Sequence, residues 1–408
     1  MKKYILSIFL SLGIFSVGPV FIDSFQKNSD NYPPSLFISD TRPGVISGNM
    51  DDADTAHELL VDFGAKGVWF YLDAGGPWMK VSPDNPDFMV GTDVDGNGDM
   101  EVIVDFGIKG LWAFEYDHAV NWYKVTTDSP EEVISLDDDG DGADELHIDF
   151  GSGKGLWRYD LDSGWKKLTR DNPGFGMKCD FWNTGVEEGI WTFYNGTYAV
   201  WGSTPTWDKM TNDGMAQDSA AAEMGIGDDS QELAADFISK GLWGINKESF
   251  TDCWIRLTSD EPYALRSVRF VGDPDSELLC VFAVSGLWMW DDSGGSFPGT
   301  WTKLSGDNPD WLQHFCEPFD PDGTTELSGD EEAAIDFGIK GLWLYDSTAV
   351  VKWKKLTQDS PRFMVRSDLF GDGVDNCLIC DFTSKGLWYY SGKTGTWHRM
   401  TGDSPDPS

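Results

Sequence analysis

Positive charge is scarce in this chain: 30 Lys and Arg stand against 69 Asp and Glu, a formal net charge of −39. A field of that sign repels phosphate backbones and anionic lipid, which argues against nucleic acid or an acidic membrane surface as partner, and it favours cations. Histidine is scarcer. The five (His57, His118, His147, His314 and His398) are scattered and form no HExxH or His/Cys cluster, so a catalytic transition-metal site is not expected. There is no phosphate loop either, because Gly151-Ser-Gly-Lys154-Gly lacks the GxxxxGK[ST] spacing. No helical hydrophobic period of useful length occurs anywhere. No pair of carboxylates stands out as a glycosidase acid and nucleophile.

Long apolar runs are also missing, with one exception. After Met1-Lys2-Lys3 an apolar stretch runs from Tyr4 to about Ile22, the layout of an export signal (residues 1–22) or, failing cleavage, an N-terminal anchor. Residues 23–43, rich in Asn, Ser and Pro, read as a linker. Six cysteines (Cys179, Cys253, Cys280, Cys316, Cys377 and Cys380) suit an oxidising compartment, though spacing does not fix a pairing. Cys377 and Cys380 sit three apart in a predicted strand, hence on opposite faces, and are expected to be inert.

What the chain has in abundance is tryptophan, 20 residues, and their positions define a repeat. The clearest copy reads Asp93-Val-Asp-Gly-Asn-Gly-Asp-Met-Glu101, then Val-Ile-Val-Asp105-Phe-Gly, Lys109-Gly-Leu-Trp112 and Trp122-Tyr-Lys-Val-Thr-Thr-Asp-Ser-Pro130. The first Trp recurs at 69, 112, 157, 243, 288, 343 and 388; in the fourth copy, aligning Asp180 and Glu188 with the acidic loop selects Trp201 over Trp191. A second Trp closes each unit, at 78, 122, 165, 207, 254, 301, 353 and 397. One long interval reflects an insertion near Glu326–Asp330. Each unit holds four short strand candidates rich in β-branched and aromatic residues, punctuated by Gly and Asp-Ser-Pro or Asp-Asn-Pro steps.

Several strands are apolar on both faces, which suits a sheet sandwiched between neighbours. Units of ~40–50 residues with four strands are propeller blades. The last repeat keeps the full pattern, whereas an open stack requires atypical ends. The sequence therefore predicts an all-β propeller over residues 44–408 built of four-stranded antiparallel blades, eight by the simplest count and seven if the seam is shared. Asp before Phe (Asp62, Asp105, Asp149, Asp236, Asp336 and Asp381) and Lys before the hairpin Gly (Lys66, Lys109, Lys154, Lys240, Lys340 and Lys385) occur in the same six repeats. That correlation predicts an ion pair or a turn cap bracing each hairpin.

The acidic loops carry the chemistry. Asp93, Asp95, Asn97, Asp99 and Glu101 place oxygens at alternate positions, with glycines allowing the bend, as a Ca²⁺ ion with six to eight oxygen ligands requires. Asp137, Asp139, Asp141, the Ala143 carbonyl and Glu145 repeat the set, and Asp368, Asp372, the Val374 carbonyl and Asn376 form a weaker copy. In the seventh repeat Asp320 and Asp322 begin a loop that the insertion distorts. The loop, with its following strand and hairpin, resembles the FG-GAP/VCBS-type repeats of integrin-α-like propellers and calcium-binding propeller lectins. That resemblance implies an extracellular propeller with structural Ca²⁺, used for adhesion or glycan binding. The expected function is a secreted recognition module for a glycan or protein ligand, not an enzyme. A structural surface or matrix protein is the alternative, and a polysaccharide-acting enzyme a more distant one. Trp182, Trp191, Trp290 and Trp311 lie outside the repeat positions and are the candidate sugar-stacking rings.

Overall fold

The structure is a computed structural model that describes residues 44–406. Stretches 216–219, 223–231, 246–253, 271–276, 292–298 and 310–331, and shorter breaks at 52, 73–74, 182–184, 238–239, 263, 269 and 348, lie outside the description. So do the expected leader and linker, Trp182, Trp311, Cys253, Cys316, and the acidic loop and insertion of the seventh repeat.

Each repeat folds as one antiparallel sheet with its strands in sequence order. There are eight sheets: seven show four strands, and the seventh blade shows three among the described residues. In blade 2 the strands are Phe88–Thr92, Glu101–Asp105, Leu111–Tyr116 and Val120–Thr126. Its second strand is buried along its whole length, as a strand covered on both faces must be. The first strands lie innermost; those of blades 1 and 2, 2 and 3, 3 and 4, and 5 and 6 lie side by side, and Val45–Gly48 of blade 1 also lies against Phe363–Ser367 of blade 8. The ring is closed.

The core is divided accordingly. Eight apolar clusters each join two adjacent blades, and the one that unites Val45, Leu59 and Val61 with Phe363, Leu369 and Ile379 spans the seam. No blade buries both its faces without two neighbours, which is why the last repeat needs no polar cap. Cys377 and Cys380 enter two different clusters from opposite faces of one strand, and burial pushes the Cys377 thiol up to about 12.

The repeated tryptophans have defined tasks. The hairpin indole donates Nε1–H to the carbonyl three residues back, as Trp112 does to Lys109 at 3.2 Å, and carries a cation from the fourth strand over its face, here Lys124 at 4.8 Å. In blade 4 that place belongs to Tyr198, not to the expected Trp201: Tyr198 pairs with Lys209 in the register and lies under its ammonium at 5.2 Å. The closing tryptophans stitch blades together. Trp122, Trp254 and Trp397 donate to carbonyls on the fourth strand of the preceding blade, and Trp301 to the Leu257 carbonyl just beyond that strand.

Of the two expected braces the Asp forms the turn cap, and the Lys pairs elsewhere. Each lysine reaches to the Asp of the turn that ends the preceding blade: Lys109 to Asp84, Lys154 to Asp128, Lys240 to Asp213, Lys340 to Asp307 and Lys385 to Asp359. Lys66 reaches to Asp403 across the seam. The Asp before Phe is buried beneath the turn. Its carboxylate accepts the N–H two residues on, as Asp62 does from Gly64 at 2.8 Å, and in three blades a turn serine donates to it as well. The two residues co-occur because both hold the same junction between blades.

Candidate functional site

In a four-stranded antiparallel blade the acidic loops, between first and second strands, and the loops between third and fourth strands share one face of the ring. The hairpins and inter-blade turns occupy the other. On the acidic face the anchor is a glutamate that opens the second strand. Glu58, Glu101, Glu145, Glu188 and Glu277 are each buried, and each accepts the N–H of the residue seven or eight positions earlier, at 2.7–3.0 Å. The glutamate thus closes the loop also in blades 1, 4 and 6, which lack the alternating acidic set of blades 2 and 3. Sequence reading treated it as a metal ligand in blades 2 and 3 and missed its general role, although its recurrence was legible.

In blade 2, Asp93 accepts the N–H groups of Asn97 at 3.1 Å and Gly98 at 3.0 Å, and Asp99 N–H donates to the Asn97 side chain at 2.6 Å. One oxygen each from Asp93, Asp95 and Glu101 lie within 4.8 Å of one another. Among the described residues no lysine or arginine pairs with these three. Burial, helped by repulsion from Asp95, pushes Glu101 up to about 8. This is a pocket of converging oxygens with uncompensated negative charge, and it fits a hard divalent cation.

Blade 3 brings Asp137, Asp139 and Glu145 together equally closely, and Asp137 and Asp141 bend the loop by accepting N–H groups from Gly140, Gly142 and Ala143. Its charge is different. Arg158, 1% exposed, donates to both oxygens of Asp138, to Asp160 and to Asp139, and its Nη2 lies 3.1 Å from Glu145. His147 bonds Asp138 at 2.8 Å from the other side. Burial, together with Asp138, pushes Glu145 up to about 9. Although burial opposes it, His147 and Arg158 hold Asp138 well below the usual carboxylate range.

In blade 8, Asp368 accepts from Asp372 and Gly373, the Val374 N–H donates to Asp372, and the Asn376 amide donates to both Asp372 oxygens at 3.1 Å. Lys393 pairs with the same Asp372. The Asn376 amide nitrogen thus faces Asp372, while its Oδ1 lies 3.5 Å from the Cys377 thiol.

Neighbouring loops are latched. Asp144, just before Glu145, accepts the Asp93 N–H at 3.1 Å and returns its own N–H to the Asp93 carbonyl at 2.7 Å. Glu187 holds Asp137 in the same way, and His57 holds Asp368 across the seam. Inside the ring an axial cleft of about 510 Å³ opens between the first strands of blades 8, 1, 2, 3 and 4. Its walls carry the hydroxyls of Ser47, Thr92 and Ser135, the cations Lys178 and Arg366, and Asp93 and Asp99 of the second acidic loop.

Two of the candidate sugar-stacking rings are corrected. Trp191 and Trp290 are 0% exposed. An added Cβ on Gly176, the register partner of Trp191, would meet its ring at 2.4 Å, and one on Gly299 would meet Trp290 at 2.6 Å. Both indoles replace smaller core residues, and the absence of a side chain on the facing glycine makes room for them.

No protein-family profile and no curated protein matches the sequence, so the FG-GAP/VCBS resemblance rests on the loop alone. Solved structures match the fold. The BP39L lectin from Burkholderia pseudomallei is 11% identical with a TM-score of 0.50, covering 91% of this chain and 99% of that one. Saccharomyces cerevisiae Sqt1 is 13% identical with a TM-score of 0.50, covering 74% and 83%. Apo AztD from Citrobacter koseri is 11% identical at 0.49, covering 90% and 96%. For the lectin and Sqt1, at these identities, the likeness is one of fold alone.

Proposed function

We propose that the chain is a secreted, calcium-stabilised recognition module that binds an extracellular ligand, a glycan in first place and a protein in second, at the acidic face and axial cleft. One observation carries the calcium part: Asp93, Asp95 and Glu101 converge, and among the described residues no lysine or arginine pairs with them. A divalent ion there draws together a loop that also walls the cleft, so metal binding and ligand binding meet at Asp93 and Asp99. The cleft offers hydroxyls, carboxylates and two cations beside aliphatic side chains such as Val90, Ile134 and Met177, a mixed lining that matches the hydroxyl groups and C–H faces of a sugar. The lectin among the fold neighbours supports that reading without identifying the sugar.

Two measurements test it. Calcium at about 100 times its dissociation constant stabilises the folded state by ~2.7 kcal/mol, so thermal melts with calcium and with EGTA should separate by several degrees. Asp95→Asn should abolish the difference. A glycan screen of the calcium-loaded protein should give binding that Arg366→Ala and Lys178→Ala reduce. Superimposable melts sink the metal assignment; a ligand that binds undiminished to both cleft variants sinks the cleft.

A further inference from the structure

Blade 3 departs from its neighbours at three buried positions at once. In the strand registers Asp138, His147 and Arg158 stand where blade 2 has Val94, Ile103 and Ala113, all in the apolar core. Blade 1 likewise has Met50, Leu60 and Phe70 there. Three polar residues replacing three apolar ones together, and bonding to one another, form a single device.

Deepening the calcium reading above, on which it rests, we infer that the third acidic loop carries its own cation, the Arg158 guanidinium, and that calcium selects the second loop over the third by at least about 100-fold. Nη2 of Arg158 lies 2.8 Å from Asp139 and 3.1 Å from Glu145, two of the three carboxylates that converge in that loop. A Ca²⁺ ion bound ~2.4 Å from those same groups would stand next to a fixed positive charge with no water between them. Nor does the guanidinium have anywhere else to go. Nε is held by both Asp138 oxygens at 2.9 and 3.0 Å and Nη1 by Asp160 at 2.7 Å, while Ser163 secures Asp160. Removing either partner of such a buried network leaves an uncompensated charge, so the network persists in preference to admitting a competing ion. In blade 2 the corresponding Ala113 presents nothing, and the loop's charge stays available.

Calcium titration calorimetry on the full chain, with circular dichroism to confirm folding, decides the matter. Asp95→Asn should remove one binding equivalent, and Asp139→Asn should leave the isotherm unchanged. The triple variant Asp138→Val, His147→Ile, Arg158→Ala, which installs the blade 2 residues, should gain an equivalent that Asp139→Asn then removes. Loss of an equivalent from Asp139→Asn in the otherwise unaltered chain overturns this inference while leaving the calcium reading intact. No calcium binding in any of these proteins overturns both.

Discussion

Trp191 offers a direct contest between packing and recognition. The side chain is 0% exposed and lies with Ile134, Leu136, Leu156 and Val200 between blades 3 and 4. Its Nε1 faces His147 Nδ1 at 3.5 Å. Trp191→Ala removes a fully buried indole at a cost of ~3–5 kcal/mol. With an unfolding entropy of ~2 cal/mol/K per residue over the ring, that corresponds to a fall in Tm of about 4–7 °C. Gly176 supplies the control. Gly176→Ala alone places a Cβ 2.4 Å from the ring, an overpacking strain of ~1–3 kcal/mol. Added to Trp191→Ala, the same methyl enters the vacated space and should cost nothing or restore some stability, a large coupling between touching residues. Differential scanning calorimetry on the four proteins reads the cycle. If Trp191→Ala melts with the unaltered protein and Gly176→Ala stays costly in its background, the indole is not packed as described and a ligand-facing role for it returns.

Other consequences follow from the same contacts. Burial pushes Asp62, Asp149 and Asp236 up to about 7 and Asp105 to about 6. Between about pH 4 and those values the folded ring keeps protons that the unfolded chain releases, so stability is highest at the acid end and declines as pH rises. Melts in chelator should therefore give a higher Tm near pH 5 than near pH 8; the opposite slope would mean that these carboxylates are ionised and paired. Lys109→Ala breaks a clasp whose two side chains are 55% and 34% exposed, and such a pair contributes ~0–1 kcal/mol, so its Tm should stay within about 1–2 °C of the parent. A larger fall would show that the clasp does more than set the angle between blades.

The fold was legible because a closed ring imposes the same demand on every repeat: two apolar faces, a hairpin indole and a turn. Partner choice was less so. The co-occurrence of Asp62 with Lys66, and its five counterparts, correctly marked one structural unit, but a one-dimensional repeat cannot say whether a side chain turns to its own blade or the previous one. Trp201 was chosen by aligning Asp180 and Glu188 with the acidic loop and counting on to the next Trp, whereas the structure follows the backbone from Gly196 and puts Tyr198 under the Lys209 cation. Trp191 and Trp290 were set apart because the repeat did not require them. The signal against exposure was Gly176 and Gly299, whose missing side chains make the pockets. Arg158 was visible too, since no other hairpin Trp is followed by an arginine. Its meaning emerged only when the register set it beside Asp138 and His147.

The seam differs physically from the other seven interfaces, because only there do adjacent blades lack a covalent turn between them. Elsewhere the Asp that receives the lysine is carried on the chain joining the two blades, and losing the pair leaves that link intact. At the seam Lys66 meets Asp403 on the C-terminal segment, Ser404 donates to both oxygens of the buried Asp381 at 2.8 and 2.9 Å, and Arg362 donates to the Ser404 hydroxyl at 3.0 Å and to the Pro405 carbonyl. The Asp406 N–H reaches the Asp62 carbonyl in blade 1 at 2.9 Å. Deleting residues 403–408 therefore removes the exposed Lys66 pair, bonds to two further charged groups, Asp381 and Arg362, at ~1.5–3 kcal/mol each, and a backbone bond across the closure. The expected fall in Tm is about 4–8 °C, several times that of Lys109→Ala. Asp84→Ala, which cuts an internal clasp at the turn end, is the matched comparison and should behave like Lys109→Ala. Equal shifts for the deletion and Asp84→Ala would mean that the apolar cluster between blades 8 and 1 closes the ring unaided, and that the C-terminal segment only covers it.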